Sequence, residues 1–365
     1  YKSIGVTQHA MKDYKAALES NQHALQIRLK LSGEEHPDTA QSYHNIGVTQ
    51  HAMKDYSAAH ESLQRALQIR LKLFGEDHPV TARSYNNIGQ TQNAMEDYKA
   101  ALQSHEHALQ IRLKLFGEDH ADTAESYSNI GATQFEMEDD KAAFESLEHA
   151  LQIRLKLFGE DHPDTAQSYC NIGVTQSALK DYSAAHESHQ HALEIRLKLF
   201  GEDHPDTARC YGNIGATQNA MEDCKAALQS HEHALQIRLK LFGEDHLDTA
   251  QSYNNIGETQ DEMKDYKAAL ESYEHALQII LKLFGEDHPY TAQIYNNIGE
   301  TQHAMEDYKA ALQSYEHVLQ IRLKLFGEDH PDTAQSYKNI GVIQDSMEDY
   351  KAALESYEHV LQFRL

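Results

Sequence analysis

The stretch LFGEDHPDTA at Leu157–Ala166 decides the fold, because the chain repeats it with small changes along its whole length. Its Glu, Asp and His residues could bind a metal or serve as the acid and base of an enzyme. They are also typical of a turn between helices, where Gly ends one helix, Pro and Asp begin the next, and acidic residues lie in the positive field of the new N-terminus. A catalytic site that appears eight times at equal spacing is implausible. We therefore interpret the stretch as a turn, with His36 and its equivalents as hydrogen-bonding turn residues.

The chain is built on a period of 42 residues. The Gly of an Ile-Gly pair recurs at each step, as Gly5, Gly47, Gly89, Gly131, Gly173, Gly215, Gly257, Gly299 and Gly341. The 365 residues hold about 8.7 repeats. A longer echo of 126 residues relates Lys54–Ser62 to Lys180–Ser188, so a block of three repeats is itself repeated. We expect one continuous array over residues 1–365, truncated inside a repeat at both ends.

Each repeat is predicted to form two helices. The first covers Asp38–Met53, with Asp38 as N-cap and Gln41 completing a capping box. After a short turn at Lys54 and Asp55, the second helix covers roughly Tyr56 to Phe74 and ends at Gly75. The expected core stripes are Ala40, Tyr43, Ile46, Gly47 and Met53 on the first helix, and Tyr56, Ala59, Leu63, Ala66 and Leu67 on the second.

The segment LQIRLKL at Leu67–Leu73 alternates apolar and polar residues, as a strand would. On a helix the same residues form two stripes on nearly opposite sides, which suits a helix buried between two neighbours. The segment also continues a long helical pattern. The prediction is therefore an all-α fold with about 17 helices and no sheet.

Composition excludes several classes of protein. A net charge of −25 argues against nucleic acid or an anionic membrane surface as the main partner, because phosphates would be repelled. No apolar run approaches the roughly 18 residues of a membrane span, and no signal-peptide pattern is visible. The three cysteines are too few for a disulfide framework. We expect a cytoplasmic protein.

The repeat resembles the tetratricopeptide repeat (TPR), and its 42-residue form is similar to the kinesin light chain and nephrocystin-3 type of that family. The residues that carry the resemblance are Tyr followed by Asn-Ile-Gly in the first helix, then Asp-Tyr, then Ala and Ala-Leu in the second. The resemblance covers the whole chain. It implies a right-handed superhelical solenoid of antiparallel helix pairs, whose first helices line a concave groove that takes an extended peptide or a partner helix.

The resemblance places one asparagine of each repeat on that groove. An amide both donates and accepts hydrogen bonds, so a row of amides can pair with peptide backbone of any sequence. The alternative is that each Asn ties its helix to the adjacent repeat, and both roles are compatible. The row consists of Asn45, Asn87, Asn129, Asn171, Asn213, Asn255, Asn297 and Asn339.

Partner specificity is expected from the variable residues around this row, although drift on a solvated surface is the alternative. The early part of the groove is neutral to mildly positive, with His44, His51, Arg83, Asn86 and Asn93. The later part is acidic, with Glu258, Asp261, Glu262, Glu300 and Asp345. The acidic part would favour a basic segment of the partner.

We therefore predict a non-enzymatic scaffold that binds a protein or peptide in the groove. No catalytic residues, cofactor or metal are expected, since His186, His189 and His191 lie close in sequence but lack a carboxylate or thiolate framework for zinc. The alternative function is structural, with exposed solenoid ends that stack on one another into oligomers or filaments.

Overall fold

The structure, a computed structural model, describes residues 2–363. Within this range it contains 18 α-helices and no strand, which confirms the all-α prediction with one helix more than the expected number of about 17. From α2 to α17, second helices of 19 residues alternate with first helices of 16 residues.

The first helices are α1 (Lys2–Ala10), α3 (Pro37–Ala52), α5 (Pro79–Ala94), α7 (Ala121–Glu136), α9 (Pro163–Ala178), α11 (Pro205–Ala220), α13 (Leu247–Glu262), α15 (Pro289–Ala304) and α17 (Pro331–Ser346). The second helices are α2 (Tyr14–Ser32), α4 (Tyr56–Phe74), α6 (Tyr98–Phe116), α8 (Asp140–Phe158), α10 (Tyr182–Phe200), α12 (Cys224–Phe242), α14 (Tyr266–Phe284), α16 (Tyr308–Phe326) and α18 (Tyr350–Phe363).

The chain forms two compact units, Tyr1–Ser188 and His189–Leu365. Within each unit, consecutive helices pack side by side, and the first helices of successive repeats also contact one another. Examples are α3 with α5 in the first unit and α13 with α15 in the second. This sequential packing of helix pairs confirms a solenoid of the TPR type. One continuous array over residues 1–365 and a right-handed superhelix stay predictions.

The N-cap prediction for the first helices is wrong. Helix α3 begins at Pro37, and its N-cap is His36, whose Nδ1 accepts a hydrogen bond of 3.1 Å from the N–H of Asp38. Proline is favoured at the first helical position because it lacks the N–H that would be unpaired there, so the cap falls on the residue before it. The predicted role of His36 as a hydrogen-bonding turn residue is confirmed, and the capping box of Asp38 with Gln41 is not formed.

The capping histidines are further positioned by stacking on the last residue of the preceding helix. His78 stacks on Phe74 with ring centroids 4.6 Å apart, and His120 stacks on Phe116 at 4.3 Å. In the loop that joins Phe74 to His78, Gly75 adopts φ 77°, a left-handed conformation that suits glycine, as predicted. The repeated loop is therefore a structural turn with a defined geometry.

The predicted boundaries of the second helix are confirmed at Tyr56–Phe74. Its N-cap is Asp55, whose carboxylate accepts a hydrogen bond from the N–H of Ala58 at 3.3 Å. The LQIRLKL segment is helical, also as predicted. One core assignment is wrong: Met53 is 41% exposed, because the first helix ends at Ala52.

Glycine in the first helix allows the second helix to approach closely. A Cβ on Gly89 would lie 2.6 Å from the ring of His105, and a Cβ on Gly131 would lie 2.7 Å from Leu147. Gly212 lies about one turn before the Ile-Gly pair of its own helix, and it has more space around it than Gly89 or Gly131. A Cβ there would meet no atom closer than Nη2 of Arg238, at 3.8 Å.

We expect opposite effects when these two glycines are replaced by alanine. Gly89→Ala overpacks a buried contact and should lower the free energy of unfolding by about 1–3 kcal/mol. Gly212→Ala adds a methyl group in available space and removes backbone freedom from the unfolded chain, which should raise it by about 0.5–1 kcal/mol. Urea unfolding followed by circular dichroism measures both. Equal effects of the two substitutions would contradict the close approach at Gly89.

Candidate partner-binding surface

The asparagine row lies on the first helices, and all eight residues are half-buried. In three places the amide bonds to the first helix of the preceding repeat: Asn129 Nδ2 donates to Asn86 Oδ1 at 2.7 Å, Asn297 to Asn254 at 3.0 Å and Asn339 to Asn296 at 3.1 Å. The role in joining adjacent repeats, the alternative considered above, is thus present at these three junctions.

Four members of the row, including Asn339, accept a hydrogen bond from a glutamine of their own helix. The side chain of Gln41 donates to Asn45 Oδ1 at 2.7 Å, and Gln167 donates in the same way to Asn171. Equivalent bonds join Gln251 to Asn255 and Gln335 to Asn339. Such pairs hold each amide in one orientation, with part of its surface open to solvent. A role in binding partner backbone stays a prediction.

The acidic residues of the second unit lie on two adjacent first helices. Glu258 and Glu262 belong to α13 and Glu300 to α15, and all three are exposed. Asn254 Nδ2 donates to Glu258 Oε1 at 2.7 Å, and Asn297 from the next helix donates to the same oxygen at 3.4 Å. The Oε1 atom of Glu258 therefore accepts hydrogen bonds from two amides, that of Asn254 on its own helix and that of Asn297 on the next first helix.

The electrostatic surroundings of Glu258 are unfavourable to its charge. Although the residue as a whole is exposed, protein atoms packed around the carboxyl limit its contact with water and raise its pKa. The amides of Asn254 and Asn297 oppose this rise, while the carboxylates of Glu262 and Glu300 add to it. Burial and the same group of acids also raise the pKa of the buried Tyr273, which lies beneath them on α14. These acids are close enough to repel one another.

Asp261 differs from the other three acids. It is half-buried, and its Oδ1 is inaccessible to solvent without a hydrogen-bond partner. At the equivalent place in two other repeats, Asn93 donates to Thr133 Oγ1 and Asn219 donates to Thr259 Oγ1, both at 2.8 Å. An ionised carboxylate has no hydrogen to donate and cannot form this bond.

The early part of the first unit carries its positive charge on arginine rather than on histidine. Arg83 is exposed on α5. His44 is buried, and its burial, together with the charges of Arg70 and Arg83, lowers its pKa to about 3. His44 is therefore neutral at pH 7, and burial also lowers the pKa of His51, so that Arg83 carries the positive charge among these residues.

Two apolar pockets open between first helices of the first unit. One has a volume of about 160 Å³ and is lined by Val6, His9 and Val48, among others. The second, of about 150 Å³, is lined by Ala132, Phe135 and Val174. These two sets of residues are related by the 126-residue echo, so the pockets are equivalent places three repeats apart.

No helix among residues 2–363 has the length and apolar character that crossing a membrane requires. Across the same residues, no three His, Cys, Asp or Glu side chains form a group that could hold a metal ion.

A sequence profile described as tetratricopeptide repeat matches the chain eight times, over residues 1–72, 61–114, 93–156, 122–198, 187–240, 220–282, 262–324 and 311–365. The chain belongs to the tetratricopeptide repeat family. No curated protein sequence matches it.

Several solved structures have a similar fold. BtubC (BKLC) from P. vanneervenii is 22% identical, and the match covers 63% of this chain and 92% of that chain with a TM-score of 0.56. A putative kinesin light chain with nearly identical TPR-like repeats from Podosopora anserina is 18% identical, covering 57% and 98% with a TM-score of 0.51. The apo form of RapI is 16% identical, covering 78% and 97% with a TM-score of 0.58. At these identities the likeness concerns the fold.

Sequence reasoning missed a buried arginine that joins successive TPRs. Arg70 is 2% exposed, and its Nη1 donates to Ser84 Oγ of the next repeat at 2.6 Å. Arg112 forms the same bond to Ser126 at 2.7 Å and a second to the carbonyl oxygen of Asp122. The signal was present, because the sequence pairs such an Arg with a Ser 14 residues later in most repeats.

Neutral histidines beneath this TPR surface make stability depend on pH. Burial, with the nearby charges of Arg112 and Arg238, lowers the pKa of His105 and of His231 to about 4. The unfolded chain binds a proton at each residue near pH 6.5, whereas the folded chain does not, so stability falls as pH decreases from about 6.5 to about 4.

We expect His105→Leu to remove part of this pH dependence. Leu63 and Leu147 occupy the equivalent place in other repeats, so leucine fits there. Between pH 7 and pH 5, wild-type protein should lose about 2 kcal/mol more than the variant, as the linkage relation gives for one histidine. Urea unfolding at both pH values measures the difference. An identical loss in the two proteins would show that His105 is not neutral and buried.

Proposed function

We propose that this protein is a non-enzymatic scaffold that binds an extended segment of a partner protein on the first-helix face of its repeats. The observation that carries the proposal is the contrast between positions within the repeat. Packing positions hardly change, since Ala40 and Ile46 have the same residue in every complete repeat. The position of Val48 holds Val, Gln, Ala or Glu from one repeat to the next, and it lies on the first-helix face.

The asparagine row supports backbone recognition on this face. The amides are half-buried, and those held by a glutamine of their own helix have a fixed orientation. An oriented amide loses little freedom when it pairs with a peptide group, which favours binding. The two apolar pockets of the first unit, beside Val48 and Val174, would receive aliphatic side chains of the partner.

The acidic residues give the second unit a preference for a basic segment. Glu258, Glu262 and Glu300 raise one another's energy, so a lysine or arginine placed among them relieves repulsion as well as forming new pairs. Asn255 and Asn297 would hold the backbone of that segment. Nucleic acid and membranes are disfavoured as partners by the net charge of −25.

The three cysteines suit a reducing compartment such as the cytoplasm, because none of them forms a disulfide bond within residues 2–363. The proposed activity is binding alone and involves no cofactor.

We expect neutralisation of the acidic residues to weaken binding of a basic peptide. The variant carries Glu258→Gln, Asp261→Gln, Glu262→Gln and Glu300→Gln, and the probe is a fluorescein-labelled peptide rich in lysine and arginine. At low salt the loss should be about tenfold or more, because each exposed charge pair contributes up to about 1 kcal/mol. Fluorescence anisotropy at several salt concentrations measures both the affinity and its decrease as salt rises.

Two controls accompany this experiment. Arg83→Gln lies in the first unit and should change the affinity little. A neutral peptide of the same length, rich in glutamine and serine, should bind wild type and variant equally. Unchanged affinity and salt dependence in the quadruple variant would mean that the acidic residues form only a solvated surface.

End-to-end assembly is the second candidate function. On α16, Tyr308, Leu312 and Leu319 pack against a core cluster that contains Ile340 and Ile343 of the next helix. Their equivalents on α18 are exposed instead: Tyr350 by 65%, Leu354 by 59% and Leu361 by 61%. A first helix from a second copy of the chain would cover this apolar face.

Light scattering as a function of concentration separates the two candidates. Assembly predicts a mass that grows with concentration and a smaller mass for Leu354→Glu. A scaffold alone predicts a constant monomer mass for both proteins.

A further inference from the structure

The junctions between repeats of the second unit are not equivalent. Between α12 and α13, Arg238 donates to Ser252 Oγ at 2.7 Å and to the carbonyl oxygen of Asp248 at 3.0 Å. Between α16 and α17, Arg322 forms the same two bonds to Ser336 and Asp332, at 2.9 and 3.0 Å. These bonds fix the orientation of each helix pair relative to the next.

The junction between α14 and α15 lacks these two bonds from an arginine, which we call the clamp. Isoleucine replaces both partners, as Ile280 and Ile294, and both are buried in one apolar cluster. Replacing a buried polar pair by apolar residues does not by itself weaken a contact. It does remove directional bonds, because apolar contact depends on buried area and not on angle. This junction keeps its cohesion but loses an orienting interaction.

A second orienting bond is also missing there, as it is between α15 and α17, where His303 and Ile343 stand at the two positions. Between α11 and α13, Asn219 Nδ2 donates to Thr259 Oγ1 at 2.8 Å. The equivalent pair between α13 and α15 is Asp261 with Thr301, and Asp261 Oδ1 has no partner. The hydroxyl of Thr301 already donates to the carbonyl oxygen of Asn297 at 3.0 Å, so it cannot serve the carboxylate.

Charge acts on the same junction from the first-helix side. Glu258 on α13 and Glu300 on α15 lie on opposite sides of it, and the carboxylate of Glu300 makes the surroundings of Glu258 less favourable to its charge. Asn297 still bridges the two helices, because its Nδ2 donates to Asn254 Oδ1 at 3.0 Å and to Glu258 Oε1 at 3.4 Å. The apolar contact at Ile280 and Ile294 therefore lies on one side and the repulsion on the other.

We propose that the junction between the pairs α13/α14 and α15/α16 is a hinge, with the Ile280–Ile294 contact as pivot and the facing carboxylates setting its opening. The first-helix side opens at low salt and closes when the carboxylates are screened or neutralised. In consequence, a cationic segment bound among these acids would close the hinge. This last statement rests on the proposed function, whereas the hinge itself does not.

The hinge can be tested without any partner, by measuring distances between spin labels. Lys225, Lys267, Lys309 and Lys351 are exposed at the same place on α12, α14, α16 and α18. Cysteines introduced at adjacent members of this set give three pairs, of which 267/309 spans the proposed hinge. The background is made free of native cysteine by Cys170→Ser, Cys210→Ser and Cys224→Tyr, residues that stand at equivalent places in other repeats.

The 267/309 pair should have a broader distance distribution than the 225/267 and 309/351 pairs. Added salt should narrow the 267/309 distribution and leave the other two unchanged, since screening weakens repulsion between exposed charges. Three distributions of equal width, or a broad 267/309 distribution that ignores salt, would overturn the proposal.

Asp261→Asn is the matched variant, because it restores the residue that bonds to threonine at Asn219. It should narrow the 267/309 distribution toward the width of the other pairs. The double variant Ile280→Arg with Ile294→Ser restores the clamp and should also narrow the distribution. It serves as the test if the Asp261→Asn variant does not fold. An unchanged width in the folded variant rejects the hinge and leaves peptide binding to be judged by the anisotropy experiment.

Discussion

A second helix such as α16 must be covered on two sides at once, and most of the architecture follows from this requirement. Val318 and Ile321 pack with Ala292 of the helix before it, and Tyr315 packs with Ile340 of the helix after it. A helix pair cannot supply both covers by itself. Repeats of this kind are stable only when stacked, which is why the chain repeats its sequence so closely at packing positions.

The sequence predicted well those features that depend on residues near one another in the chain. The boundaries of the second helix, Tyr56 and Phe74, follow from the turn at Asp55 and the glycine at Gly75. The N-cap of the first helix also depends on local residues, but it is His36 and not Asp38, although aspartate is the commoner capping residue. The proline at the first helical position indicates the residue before it as the cap.

Features that depend on contacts between repeats were much harder to predict. Arg70 is one example, since its guanidinium is buried and donates a hydrogen bond to Ser84 of the next repeat. The asparagine row is similar. Whether an Asn bonds to the preceding repeat depends on the residue that faces it there, and Asn86, Asn254 and Asn296 supply the needed oxygen.

The bonds between repeats also give the stack a polarity along the chain. The side chain of Arg112 on α6 reaches forward to Ser126 on α7 of the next repeat. This contact is made only by a neighbour that runs in the same direction. A repeat joined head to head would place guanidinium against guanidinium. The unit can therefore be duplicated indefinitely in tandem but not inverted, and such a rule makes lengthening the array a simpler change than rearranging it.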